Sequence, residues 1–215
     1  IANYAMHGTV LGGQWVQISG DGPGIVASYV EEKLGAPVLY VNGAAGNLAP
    51  IYTVQPNPKA AHMGEFRVLL GNKILDASQR MGSTGAEAKL WLGEKWIETP
   101  RKAGLGWPTE LANYAAKTTG GADLVRIPVR FLRINDTVLW SGPVELFCEI
   151  AIRVRNESPF RNTFYFGYAN GWLGYLPTAA AFNEGGYEPK TSPFTEQVEK
   201  DFGDGVVTFI HAIPR

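Results

Sequence analysis

Residues 1–50 alternate between two hydrophobic periods, and that alternation restricts the fold of this chain more than any other feature of its sequence. The opening IANYAMHGTVLG is apolar and closes on glycines, as a buried strand does, and it presents His7 near its end. After the turn SGDGPG, Ile25, Val26, Tyr29, Val30 and Leu34 fall near helical spacing. Pro23 suits the first turn of that helix, and Gly35 stops it. Residues 37–41 then form a short apolar strand that runs into the glycine-rich turn NGAAGNLAP. Strand, helix, strand is an α/β opening.

The remainder extends the same architecture. Residues 58–81 follow a proline pair and carry Phe66, Leu69, Leu70, Ile74 and Leu75 on one face, which predicts a long amphipathic helix. Strands are expected around residues 86–97, 124–134 and 137–141, with Asn135 and Asp136 turning a hairpin between the last two. Residues 99–123 read as an excursion over the surface, 145–156 as a second amphipathic helix and 162–168 as an aromatic strand. Residues 170–195 read as a long loop rich in Gly, Pro and Tyr, of a length that is often functional. From residue 193, FTEQVEKDF and GVVTFIHAI predict a final helix and strand. The fold class expected is α/β, a mixed β-sheet core flanked by helices, as one domain over residues 1–215.

Hydrophobic residues at 45% and charged residues at 18% place the chain among globular sequences and away from disorder. Nineteen basic against twenty acidic side chains give a formal net charge of -1, so no global field attracts nucleic acid, which is excluded as a partner. Cys148 is the single cysteine, which rules out an intrachain disulfide and reads as a small buried hydrophobe. No stretch reaches the roughly 20 apolar residues that cross a bilayer. The chain starts at Ile1, inside what reads as a strand, so an upstream portion is expected.

Three histidines, His7, His62 and His211, occur without HExxH or paired-cysteine spacing, so composition alone argues for no metal. The surroundings of His7 argue otherwise. NYAMHGTVLGG is followed by ISGDGPG with Asp21, by LYVNGAAGNLAP, by SGPVELF, and by YANGWLGYLPTAAAFNEGGYE. In this order the segments resemble the catalytic domain of the neutral/alkaline ceramidase family. The resemblance implies a ceramidase-like catalytic domain of which this chain is the C-terminal part.

It also implies a zinc-dependent hydrolase that cleaves the amide of an N-acyl, lipid-like substrate with a metal-activated water. His7, Glu145 and Tyr175 match three zinc ligands; a fourth, in a His-x-His motif, is not in this chain. Tyr187 would donate to the oxyanion, and Asp21 would orient His7 or else form an Asx turn ahead of the helix. Asn42, Gly43, Gly46 and Asn170 are the expected substrate-binding positions, the turn amides receiving a carbonyl or anionic oxygen. Without the resemblance Glu145 reads as a carboxylate at a helix N-terminus, Tyr175 as a buried aromatic and Tyr187 as a loop tyrosine. An extracellular or periplasmic location and peripheral membrane contact follow from the resemblance alone.

One departure stands out. Where the ceramidases have Gly-Asp-x-Ser-Pro, this chain has Gly46, Asn47, Leu48, Ala49 and Pro50, so the acid and the hydroxyl are both replaced. A catalytically inactive, ceramidase-like protein that binds a lipid or glycan is therefore the alternative. A carbohydrate-active or esterase-like enzyme using Glu184 and Glu188 is a weaker third.

Overall fold

A computed structural model describes residues 1–13, 15–51, 62–82 and 84–215. The chain expected as one domain divides into two compact units, Ile1–Gly43 with Leu48–Glu87, and Ala44–Asn47 with Ala88–Arg215.

In the first unit, β1 (Ala2–Tyr4) and β2 (Tyr40–Asn42) pair in parallel, Ala2 opposite Tyr40 and Tyr4 opposite Asn42. Helix α1 (Asp21–Leu34) makes the crossover that two parallel strands require. Val26 and Val30, one turn apart, are fully buried with Met6, Phe66 and Leu70. Gly35 adopts a left-handed φ of 62° and donates its amide to the Glu31 carbonyl, which closes α1. The expected strand at the start is shorter than its apolar run, because past Tyr4 the backbone turns away to meet Asp21. Asp21 is 5% exposed. Its carboxylate accepts from the amides of Val10 (3.0 Å), Leu11 (2.8 Å) and Gly22 (2.6 Å), so one side chain folds the loop back onto the helix start.

The helix expected over 58–81 is present only in its second half; residues 58–61 lie outside the described residues. A 3-10 turn (His62–Gly64), a π-helical turn (Arg67–Gly71) and α2 (Asn72–Gln79) follow one another. Packing against α1 explains the irregularity. The wide turn buries Leu70 and Gly71 together, and a Cβ on Gly71 would stand 2.6 Å from the Tyr29 ring. Tyr29 also donates its hydroxyl to Asn72 Oδ1 at 2.9 Å. Leu69 is turned out of this packing and is exposed.

The second unit is built on a five-stranded mixed sheet. Strand β5 (Asp123–Ile134) pairs along its whole length with β3 (Leu90–Pro100), antiparallel. Its other edge pairs with β4 (Ala115–Lys117) and then with β6 (Thr137–Ser141). The β5–β6 hairpin turns at Asn135, whose φ of 52° is the conformation Asn tolerates in such turns. β8 (Asn162–Phe166) then joins β6 in parallel.

Alternation along β5 sends Val125, Ile127, Val129 and Phe131 into the core. On the opposite face Arg126 meets Glu98 at 3.3 Å and Arg130 meets Glu94 at 3.0 Å, each pair directly across from β3. These exposed pairs set register more than stability. Helices α3 (Cys148–Glu157) and α6 (Val198–Ala212) complete the core: Val198, Phe202, Val206 and Ile210 recur every fourth residue and are fully buried. The last apolar run is therefore helix throughout, where a strand was expected. Its β-branched residues favour a strand, but the spacing of four decides once β3 offers a face to pack on. Among the described residues no helix is long and apolar enough to cross a membrane.

Replacing Asp21 with Ala removes the acceptor of three amides, two of which it reaches across the loop. At about 1–3 kcal/mol for each buried group left unsatisfied, Asp21→Ala is expected to lower the urea midpoint of unfolding markedly. Asp21→Asn, which keeps one acceptor, should fall between it and the wild type; equal midpoints for Ala and wild type would refute the loop-clamping role.

Candidate functional site

The second unit gathers four of the expected site residues around a small sheet separate from the five-stranded one. Two short strands, β7 (Glu145–Leu146) and β9 (Tyr175–Leu176), pair in parallel with Glu145 opposite Tyr175. Glu145 donates its amide to the Gly174 carbonyl at 2.9 Å, and Phe147 donates to Leu176 at 3.1 Å. Glu145 is thus a strand residue, two positions before Phe147 caps α3, and the reading of its carboxylate as a helix N-terminal charge is corrected. The pairing brings two half-buried side chains together, and the Tyr175 hydroxyl bonds the Glu145 carboxylate.

Further donors reach the same carboxylate. Trp172 donates its indole N–H to Glu145 Oε1 at 3.1 Å, and Tyr168 adds its hydroxyl. Tyr187 opens α5 (Tyr187–Thr191) after two glycines with φ of 79° and 113°, and its ring stands edge-on to Tyr175 with centroids 5.9 Å apart. The result is one carboxylate in a ring of neutral aromatic donors. Burial, then the negative charge of Glu145, holds the Tyr175 phenol well above the ordinary tyrosine range and pushes Tyr168 up to about 12. Both phenols are therefore protonated donors near neutral pH.

The loop that carries Tyr168 and Trp172 is held by Asn170. Its Oδ1 accepts from Arg130 at 2.8 Å, its Nδ2 donates to Ser141 Oγ at 3.1 Å, and its carbonyl accepts from the Tyr114 hydroxyl at 3.4 Å. Its φ of 67° is left-handed. Asn170, expected to bind substrate, is thus engaged by the fold through its carbonyl and both ends of its amide. Tyr168 and Trp172 escaped the sequence reading. The signal was present in YANGW, two aromatics flanking an Asn-Gly pair, but a left-handed tyrosine at φ 54° is not written in the residue type.

The glycine-rich turn is engaged by backbone as well. In the first unit Asn42 exchanges two bonds with the Met6 backbone, both at 3.0 Å, and the Gly43 amide donates to the Tyr4 carbonyl at 3.1 Å. In the second unit the Gly46 amide donates to the Leu146 carbonyl at 2.8 Å, and a Cβ there would lie 2.4 Å from the Glu145 carbonyl oxygen. These amides hold the chain against its own strands, so none is directed at an external oxygen. Asn47 caps α3: its Oδ1 accepts from the Cys148 amide at 2.9 Å and its Nδ2 donates to both Glu149 oxygens.

His7, in the first unit, follows β1; it is half-buried and its amide donates to the Leu48 carbonyl at 2.9 Å. Asp21, expected either to orient His7 or to form an Asx turn, has its carboxylate on three backbone amides. His211 places Nε2 at 2.9 Å from the Glu157 carbonyl oxygen, a structural contact at the end of α6. Among the described residues no three His, Cys, Asp or Glu side chains cluster as a cation site would.

Comparison with solved structures decides what this arrangement is similar to. Neutral ceramidase from Pseudomonas aeruginosa matches over 100% of this chain with a TM-score of 0.65 at 16% identity. The chain has the ceramidase fold. A second structure, a ceramidase complexed with C2, matches over 99% of the chain with the same TM-score and identity. The chain spans 45% and 46% of the lengths of those two ceramidases, less than half of each. No family model and no curated protein matches it. At this identity the likeness concerns the ceramidase fold, the mixed sheet with flanking helices that the sequence resemblance led us to expect.

The raised phenols make alkaline stability a readout of the site. An unfolded tyrosine titrates near 10, whereas Tyr168 in the fold does so at about 12. Its contribution is therefore complete below about pH 10 and is lost as pH rises from there through about 12. The urea midpoint should fall across that window, and Tyr168→Phe should make the fall shallower. An unchanged slope in the variant would show that Tyr168 is not held as described.

Proposed function

We propose that the protein is a zinc-dependent hydrolase of the ceramidase type, cleaving the amide of an N-acyl, lipid-like substrate. The observation that carries this reading is the contact between the Glu145 carboxylate and the Tyr175 hydroxyl across β7 and β9. Two oxygen donors already within hydrogen-bond reach fit part of a zinc site, since a cation can take the place of the shared proton. Glu145 and Tyr175 would hold the metal, and the resemblance assigns His7 as a further ligand. Zinc, when bound, supplies Lewis acidity that acidifies water and polarises a carbonyl.

The chain's own residues would do the rest. Glu145 keeps a negative charge at the reacting centre, and Trp172 and Tyr168 hold it there. Tyr187, 66% exposed, would donate its hydroxyl to the oxygen on which charge develops when the amide carbonyl is attacked. The aromatic rings around Glu145 offer apolar surface to the substrate. Asn42, Gly43, Gly46 and Asn170 are given no substrate contact, because their polar groups serve the fold, and Asp21 is given a structural role for the same reason. An extracellular or periplasmic site of action with peripheral membrane contact belongs to the same proposal, since an N-acyl lipid partitions to membranes.

A second reading is a catalytically inactive relative that binds a lipid or glycan. It is favoured by Asn47, whose side chain is committed to capping α3, and by Ala49, where the ceramidases carry a hydroxyl. The two readings part on metal and turnover. The intact protein is expected to carry stoichiometric zinc by elemental analysis and to hydrolyse a fluorogenic long-chain N-acyl amide. Glu145→Gln should lose both; absence of zinc from the wild type would overturn the hydrolase reading, and zinc without turnover would favour the binding protein. Tyr187→Phe should retain zinc while kcat falls roughly 100-fold, the loss of one oxyanion donor.

A further inference from the structure

Trp172 is 62% exposed, yet its indole N–H, which water could satisfy, is given to a half-buried carboxylate, Glu145 Oε1, at 3.1 Å. The backbone that delivers it is held in an unfavourable conformation. Tyr168, Asn170 and Gly171 have φ of 54°, 67° and 132° within four residues. Left-handed backbone is unfavourable at a residue with a Cβ, and the 132° of Gly171 suits glycine alone. Such a loop persists only where its surroundings over-determine it. Here Arg130 and Ser141 grip the Asn170 amide, and Leu173 donates to the Pro143 carbonyl at 2.7 Å. Gly171 also lies close under Tyr114, whose hydroxyl would be 2.5 Å from a Cβ at this position.

Both ends of this loop send a donor to the same carboxylate, Tyr168 from one side and Trp172 from the other. We infer that Trp172 is a positioning residue: its indole N–H fixes the orientation of the Glu145 carboxylate for cation binding. The inference rests on the zinc reading above and adds a residue to it. A tryptophan chosen for packing would bury its ring; this one leaves most of the ring in solvent and uses the N–H. A neutral donor orients a carboxylate without cancelling its charge, which a lysine or arginine at the same place would do. Partners that orient metal ligands commonly contribute a factor of about 10–100 in metal affinity.

The test uses the intact protein, zinc alone as the probe, and two variants. Trp172→Phe keeps an aromatic ring and removes the N–H, whereas Trp172→Gln restores an N–H donor at similar reach. Calorimetry is expected to show zinc binding about 10- to 100-fold weaker in Trp172→Phe and largely recovered in Trp172→Gln. Thermal unfolding of the metal-free proteins should be unchanged, as for a substitution at an exposed ring. In the metal-free wild type the Trp172 indole proton, followed by NMR, should exchange slowly with deuterium, and faster in Glu145→Ala. Equal zinc affinity in wild type and Trp172→Phe would overturn the inference, as would equal weakening in both variants or rapid indole exchange in the wild type. A wild type with a protected indole but no zinc binding would remove the hydrolase reading while leaving the Trp172–Glu145 clamp established.

Discussion

The parallel pairing of Glu145–Leu146 with Tyr175–Leu176 is the constraint on which the site in the second unit depends. Two residues per strand is too little to persist alone, so the pair is braced from behind. Buried Tyr165 donates its hydroxyl to the carbonyls of Val144 (3.0 Å) and Gly142 (3.3 Å), fixing the segment that enters β7. Ser192, fully buried, donates to the Tyr175 carbonyl at 2.9 Å and fixes β9. Leu146 and Leu176 are themselves fully buried in the core beneath. The side chains that face outward, Glu145 and Tyr175, thus stand on backbone that has no freedom to drift, as a preorganised site requires.

The glycine-rich turn belongs to the same bracing. Gly46 approaches β7 so closely that any side chain would meet the Glu145 carbonyl, and its amide completes the Leu146 carbonyl. Asn47, the next residue, satisfies the first amide of α3. An aspartate there would place its charge beside Glu149, whose oxygens Asn47 instead bonds as a donor at 3.0 and 2.8 Å. The replacement of the acid seen in the ceramidases is therefore matched by a local partner that wants an amide, which gives the departure a structural explanation independent of catalysis.

Much of this was legible in the sequence because it depended on period. The strand, helix, strand opening, β3, β5, β6 and β8 of the mixed sheet and the Asn135 hairpin follow from spacing and turn chemistry, although the first strand is shorter than its apolar run and β4 lies within residues 99–123, read as a surface excursion. Failures came where tertiary contact overrode local preference. Residues 67–71 leave the α-helical path because Gly71 must lie against Tyr29. The final apolar run is helical because β3 takes a face with a spacing of four. Residues 170–195, read as loop, contain β9, α4 (Ala179–Glu184) and α5, whose lengths of two to six residues leave no periodic signal. The family resemblance named Glu145, Tyr175 and Tyr187, which lie together in the second unit, but Trp172 and Tyr168 needed a backbone conformation that only coordinates reveal.

Two carboxylates show how structural and chemical roles separate in this molecule. Asp21 is almost fully buried and its two oxygens accept from three backbone amides, so that releasing it would free the loop it holds. Glu145 is half-buried, and its carboxylate takes side-chain donors, the Trp172 indole and the Tyr168 and Tyr175 phenols among them. Side-chain donors orient a carboxylate while leaving it able to exchange one of them for a ligand, at the expense of a rotamer change rather than of secondary structure. The same distinction sorts the other candidates. Asn42, Gly43 and Gly46 contact backbone and shape the fold, whereas Tyr175 and Tyr187 present hydroxyls from backbone secured elsewhere. Chemistry in this chain is thus to be sought where polar atoms are held by side chains on rigid backbone, a condition that the Glu145 ring of aromatic donors meets.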